Sequence, residues 1–199
     1  MPSICIDPGH GAEDSGAVGA NGLFESLAVL DIGLMVRDIL RPHMDVIMTR
    51  DDDTFVSLPE RCRVANNADV DIFVSIHLNS ASNAEANGFE VFTSGSDESV
   101  RLAGSVLNAH ALTFKNQRNR GVKKQSFHVL VNTAMPAILW EGCFLSNQQE
   151  AEWASDDSVR VSMAQAISDG VLAYFGIAES NQELTLEERV VRIENHLGL

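Results

Sequence analysis

The 199-residue sequence predicts an α/β fold: a single domain with a mostly parallel twisted sheet flanked by helices, then a short C-terminal amphipathic helix. Three observations carry this. Short apolar runs alternate along the chain with longer segments of helical periodicity, as strand–helix–strand units require. Several of those runs are nearly continuous, the mark of strands covered on both faces. Hydrophobic residues make up 45% of the chain and prolines number five, which fills one core and excludes a disordered or collagen-like polymer.

Each element follows from its residues. Residues 3–7 form a strand that runs into the turn Pro8-Gly9-His10-Gly11. Leu27, Leu30, Leu34, Val36 and Ile39 place an apolar stripe on a helix over 25–40, with Pro42 just past its end. Residues 46–49 are the next strand. Ser57-Leu58-Pro59-Glu60 fits a capping box, in which Ser accepts backbone N–H groups and Glu follows three residues on, and it opens a helix to about Ala68. Asp71-Ile72-Phe73-Val74-Ser75-Ile76-His77 is a buried strand and residues 88–93 another. Ala103, Val106, Leu107, His110, Ala111 and Phe114 fall at helical spacing. Residues 137–141 are a third buried strand, and Met163, Ile167, Gly170, Val171 and Tyr174 mark a final long helix.

The domain is expected to span residues 1–176. Residues 177–199 read as a polar linker and a short helix with a stripe at Leu186, Val190, Ile193 and Leu197. That stripe docks on the domain, pairs with a second copy to give a homodimer, or begins a connection to another module.

Fourteen basic against 28 acidic side chains give a formal charge of −14, which repels a polyanion and argues against nucleic acid as partner. The one basic stretch (Lys115, Arg118, Arg120, Lys123, Lys124) reads as a solvated loop, with a local contact to an anionic ligand as the minority reading. No run of about 20 apolar residues exists to span a membrane. Cys5, Cys62 and Cys143 are odd in number and form no CxxC pair, so buried inert thiols are expected rather than disulfides or a thiolate metal site.

Of six histidines, His43 and His196 lie near helix ends, His110 lies on an apolar stripe, and His128 begins a β-like run and faces either side. His10 and His77 differ, because each sits at or just past the C-terminal end of a predicted strand, where α/β sheets bind ligands. Glu141 ends a third such strand. Two imidazoles with a carboxylate are the donor set of a hydrolytic zinc site, which keeps one position open for water. Glu25, at a helix start, is a candidate for that carboxylate, although glutamates are also favoured there by the helix dipole alone.

These residues stand in a wider pattern. Asp7-Pro8-Gly9-His10-Gly11, Asp14, Gly16-Ala17 and Glu25 are followed in order by Thr49-Arg50, Arg61 with Ala65-Asn66, Ser75-Ile76-His77-Leu78-Asn79, and Glu141 with Phe144-Leu145-Ser146-Asn147. Over residues 3–176 the chain resembles the zinc-dependent N-acetylmuramoyl-L-alanine amidases of the Amidase_3 type, cell-wall hydrolases that include phage lysins and autolysins. The resemblance implies one catalytic Zn²⁺ held by His10, Glu25 and His77, with Glu141 as acid/base. It implies peptidoglycan as substrate, cleaved between the lactyl group of N-acetylmuramic acid and the L-alanine of the stem. The runner-up readings are an inactive relative that binds wall fragments or a partner, and a zinc peptidase of other specificity.

Asp7 and Asn79 orient the imidazoles or simply cap loops; Arg50 and Arg61 bind substrate or pair structurally with the 51–53 acidic run. The chain departs from the family pattern at Ala12, where a second glycine is usual, and at Glu141-Gly142-Cys143-Phe144, where glycine stands one place early. Cys143 in that slot admits a thiol nucleophile, but this reading leaves Glu25 and Glu141 without a use.

The 22 residues between His77 and the helix near Val100 leave little room for the inserted helix that plugs partner-controlled relatives, so an open cleft is expected. The N-terminus has no basic segment followed by an apolar core, hence no visible signal peptide. Action at the cell wall or periplasm then implies a phage lysin or a domain of an exported enzyme, and Met1 directly before the first strand slightly favours the lysin.

Overall fold

The computed structural model describes residues 1–177. The stripe at Leu186, Val190, Ile193 and Leu197, and with it the homodimer expectation, lies outside the described residues. Within them the chain is a single α/β domain. Its elements in order are β1 (Ser3–Pro8), α1 (Glu25–Leu40), β2 (Asp45–Met48), α2 (Leu58–Ala68), β3 (Ile72–Asn79), β4 (Phe89–Thr93), α3 (Asp97–Thr113), β5 (Asn119–Lys124), α4 (His128–Val131), β6 (Ala137–Phe144), α5 (Gln148–Ala154) and α6 (Asp157–Tyr174). Six strands form one sheet in the order β2-β1-β3-β6-β4-β5, parallel throughout except at the β4–β6 pair.

Side chains alternate across each strand, so two cores form. Ile4 and Ile6 of β1, Ile72, Val74 and Ile76 of β3, and Ile138 and Trp140 of β6 pack with α1, α3 and α6 on one face. The intervening Cys5, Phe73, Ala137 and Leu139 meet Cys62 and Ala65 of α2 and Val129 and Leu130 of α4 on the other. The same parity carries Asp7 and Ser75 onto that face, buried beneath Arg61 of α2, and then His77, Glu141 and Glu90 further along.

Three local expectations are corrected. The basic stretch is a loop only at Lys115 and Arg118: Arg120, Lys123 and Lys124 lie in edge strand β5, paired with β4. Charged residues at a sheet edge face solvent on one side and so carry no apolar pattern. His128 opens the short helix α4 rather than a β-like run. Ser57 does occupy the N-cap of α2, but its side chain makes no cap hydrogen bond. The Glu60 carboxylate instead accepts from Arg63 one turn on, so no reciprocal box forms.

Between β3 and β4 the chain passes through a loop without a helix, matching the short spacing in sequence. No described helix is long and apolar enough to cross a membrane.

Candidate active site

The site begins with the turn after β1. His10, Gly11 and Ala12 all have positive φ, at 59°, 132° and 49°, so the chain curls tightly and aims the His10 ring back over the sheet. Two buried guanidiniums hold this curl. Arg50 donates Nε to Pro8 O at 2.9 Å and Nη2 to Gly9 O at 2.6 Å. Arg61 donates Nη1 to Pro8 O and Nη2 to His10 O, both at 2.6 Å. The planar fork of each side chain reaches two carbonyls at once, which a single ammonium does not.

His77 reaches the same point from the end of β3. A Cβ on Gly9 would lie 2.2 Å from its ring, so only glycine lets the turn pass. Glu25 comes from the first turn of α1, entered through Gly16, where a Cβ would meet both the His10 ring and the Glu25 carboxylate below 3 Å.

The three side chains converge. One ligand atom from each of His10, Glu25 and His77 lies within 4.8 Å of the others. Glu25 Oε1 stands 3.2 Å from His10 Nε2 and 3.0 Å from His77 Nδ1, and it accepts the Leu78 N–H at 3.0 Å. Burial alone would raise the Glu25 carboxyl, but hydrogen bonds from both imidazoles outweigh it and hold it well below the usual carboxylate range. An ionised carboxylate between two histidines at the strand ends is a donor set that fits a divalent ion such as zinc with a coordination position to spare.

Asp14, rather than Asp7 or Asn79, orients an imidazole. Its Oδ2 lies 2.9 Å from His10 Nδ1, leaving Nε2 to face Glu25. Asp7 instead accepts from Thr49 Oγ1, Arg61 Nη1 and Ser75 Oγ, each at 2.7 Å. Asn79 donates Nδ2 to Glu90 at 2.8 Å. Neither touches a histidine ring, because both point at charged partners of their own. Arg50 and Arg61 are buried structural arginines, with partners other than the acidic side chains of the 51–53 run: Arg50 takes only the Asp52 backbone carbonyl there, and Arg61 pairs with Asp7. Asp14 leaves no signature as a contact in the sequence, because its reach to His10 depends on the curl at residues 10–12.

Glu141 lies beside His77 in the β3–β6 register, on the same face. Its Oε2 is buried with no hydrogen-bond partner among the described residues. Burial, then the negative charges of Glu25 and Glu90, push its carboxyl well above the ordinary range. A carboxyl raised in this way is better matched to proton exchange than an ordinary one.

The sequence departure beside Glu141 has a packing cause. A Cβ on Gly142 would lie 2.1 Å from the Trp140 ring, so glycine is required here. Past His77 and Glu141 the register shifts by one residue, and Cys143 drops into the α1–α3–α6 core, fully buried. Burial drives its thiol well above the usual value, and it faces away from the imidazoles. The thiol-nucleophile reading has no geometric support. Cys5 and Cys62 are also buried and free.

Residues 4–173 match the family model Amidase_3, described as N-acetylmuramoyl-L-alanine amidase. The chain is 38% identical over 177 residues to the N-acetylmuramoyl-L-alanine amidase LytC of Bacillus subtilis, covering 87% of this chain and 35% of LytC. It is 36% identical over 176 residues to the endolysin of Bacillus phage SPP1, covering 84% of this chain and 64% of the endolysin. The chain thus spans about a third of the one relative and under two thirds of the other. Among solved structures, the catalytic domain of the amidase CwlV from Bacillus (Paenibacillus) polymyxa superposes with a TM-score of 0.85 at 37% identity, covering 89% of this chain and all of that one.

Proposed function

Because the chain belongs to the Amidase_3 family of N-acetylmuramoyl-L-alanine amidases, we propose that it hydrolyses the peptidoglycan amide between the lactyl group of N-acetylmuramic acid and the L-alanine of the stem. The observation that carries this reading is the convergence of His10, Glu25 and His77 within 4.8 Å, with the Glu141 carboxylate on the same sheet face.

An amide is a weak electrophile with a poor leaving group, so its hydrolysis needs an activated water, a polarised carbonyl and a proton for the departing nitrogen. Zinc, held by His10, Glu25 and His77, would supply the first two by lowering the pKa of water to about 7 and acting as a Lewis acid. Asp14 fixes the His10 ring, and Arg50 and Arg61 fix the turn that presents it. Glu141, its carboxyl poised above the ordinary range by burial, accepts the proton of the attacking water and returns it to the alanine nitrogen. General acid–base help of this kind contributes roughly 10²–10⁴-fold.

We place its action at the cell wall, as a phage lysin or as a domain of an exported enzyme; the phage SPP1 endolysin among its relatives supports the first, and the bacterial amidase LytC the second. Among the described residues the β3–β4 loop carries no helix over the face of Glu141, so we propose that the chain works without an activating partner. The deciding experiment is mass spectrometry of purified peptidoglycan after digestion. Intact glycan and free stems beginning with alanine, lost on chelation and restored by zinc, are expected. Cleavage within the stem would replace this reading with that of a peptidase, and absence of any product would indicate an inactive wall-binding relative.

A further inference from the structure

A charged cluster lies beside the site. Glu90 lies directly across the β4–β6 ladder from Glu141 and is buried. Its carboxylate accepts from Asn79 at 2.8 Å, from Arg120 Nε at 2.7 Å and from the Lys123 ammonium. Burial would raise the Glu90 carboxyl, but the hydrogen bonds from Lys123 and Arg120 hold it below the ordinary value.

One carboxylate does not consume two cations. The cluster keeps a surplus positive charge in a chain whose net charge is −14. Arg120 spends Nε on Glu90 and Nη1 on Asn87 O at 3.4 Å, and its guanidinium lies 4.7 Å over the Phe144 ring, three residues beyond Glu141. Among the described residues no hydrogen-bond partner takes Arg120 Nη2 or the remaining Lys123 protons. Both side chains reach solvent, at 24% and 37% exposure.

Distance selects what these donors meet. His77, Glu141 and Glu90 form one rung across β3, β6 and β4, and β5 lies beyond. At about 4.8 Å per strand the β5 cations stand roughly 10 Å from Glu141. An extended peptide advances about 3.3–3.6 Å per residue, so a stem leaving the scissile amide along this rung brings its second and third residues to Arg120 and Lys123. A stem with an acidic second residue, or with a diamino-dicarboxylic third residue, places there a carboxyl group that is either free or amidated.

We propose that Arg120 and Lys123 form a carboxylate subsite that selects stems with a free acid at the second or third residue over their carboxamides. This rests on the amidase reading above. A charge-assisted hydrogen bond is markedly stronger than its neutral counterpart, and the selection is expected mainly in KM.

The test uses soluble muramyl peptides that differ only in acid or amide at those two residues. The wild-type chain should prefer an acid form about tenfold or more in kcat/KM, a range typical of one charge-assisted hydrogen bond. Lys123→Gln should bring the acid-to-amide ratio toward one, and Lys123→Arg should restore it, with thermal melts reporting that each variant folds. A wild-type ratio near one, or equal losses on both forms in Lys123→Gln, overturns the subsite and leaves the cations as partners of Glu90 alone. Failure of the wild type to release an alanine-terminated stem from either form overturns the amidase reading, and the subsite with it.

Discussion

Asp7 and Arg61 form an ion pair at 2.7 Å with both side chains buried, and the second terminal nitrogen of the same guanidinium holds the carbonyl of His10. A structural charge pair and a proposed metal ligand are therefore joined by one rigid group. The pair links β1 to α2, and it sits where the left-handed turn most needs support.

Replacing Arg61 by Met strands the Asp7 carboxylate in a dry site. Breaking a buried pair from one side costs about 3–5 kcal/mol. Urea unfolding in the presence of a chelator should show a loss of that size, and zinc affinity measured separately should also fall as the His10 carbonyl loses its donor. An Arg61→Met chain as stable as the wild type would mean that Asp7 finds water or takes up a proton at no cost.

Glu141→Gln separates proton transfer from metal binding. Glu141 touches none of the three converging side chains through a hydrogen bond, so zinc content by metal analysis should stay near one per chain. Turnover on peptidoglycan should drop about 10²–10⁴-fold. Loss of zinc along with activity would recast Glu141 as a ligand.

Much of this was legible in the linear chain, for physical reasons. β1, β3 and β6 are covered on both faces, so their apolar runs announced them, and chemistry-bearing residues at their ends stood out against that background. His10, Glu25 and His77 were visible as residue types in a motif. Edge strand β5 was not, because Arg120 and Lys123 point toward solvent and Glu90 and leave no hydrophobic signature. Helices α4 and α5 have four and seven residues, too few to show a period. The supporting contacts were hidden more deeply. Asp14 reaches His10 only because three successive residues adopt positive φ, and the carbonyls held by Arg50 and Arg61 look the same in every sequence.

Ala12 stands at φ 49°, where an L side chain costs about 1–2 kcal/mol relative to a right-handed conformation. Its N–H donates to Asp53 at 2.8 Å, which keeps it there. Glycine removes the strain but makes the unfolded chain more flexible, which offsets about 0.4–1 kcal/mol. Ala12→Gly should therefore stabilise the domain by roughly 0.5–1 kcal/mol, read as a rise in the thermal midpoint with zinc removed. A fall would show that the methyl packs favourably in the turn.

His110 predicts how stability responds to acid. Its ring is wholly buried in α3 against Phe89, Phe114 and Trp140. Nε2 lies 2.7 Å from Gln117 Oε1, while Nδ1 has no partner among the described residues. Burial pushes the imidazole down to about 4, and the Gln117 contact offsets only part of that. In the unfolded chain it titrates near 6.5. Between these values the unfolded chain binds a proton that the folded chain refuses, so stability rises with pH across the window and is level above it. As pH falls from about 6.5 to about 4, the folded state should lose of order 3 kcal/mol through this residue. Carboxylates titrate in the same range, so the quantity to measure is the difference between the wild type and His110→Phe in urea midpoints from pH 4 to 7. The variant, which has no imidazole to protonate, should show the flatter profile. Parallel profiles would mean that the ring takes up its proton in place, with Gln117 and the neighbouring Glu150 carboxylate, 3.2 Å from the Gln117 amide, rearranging to receive it.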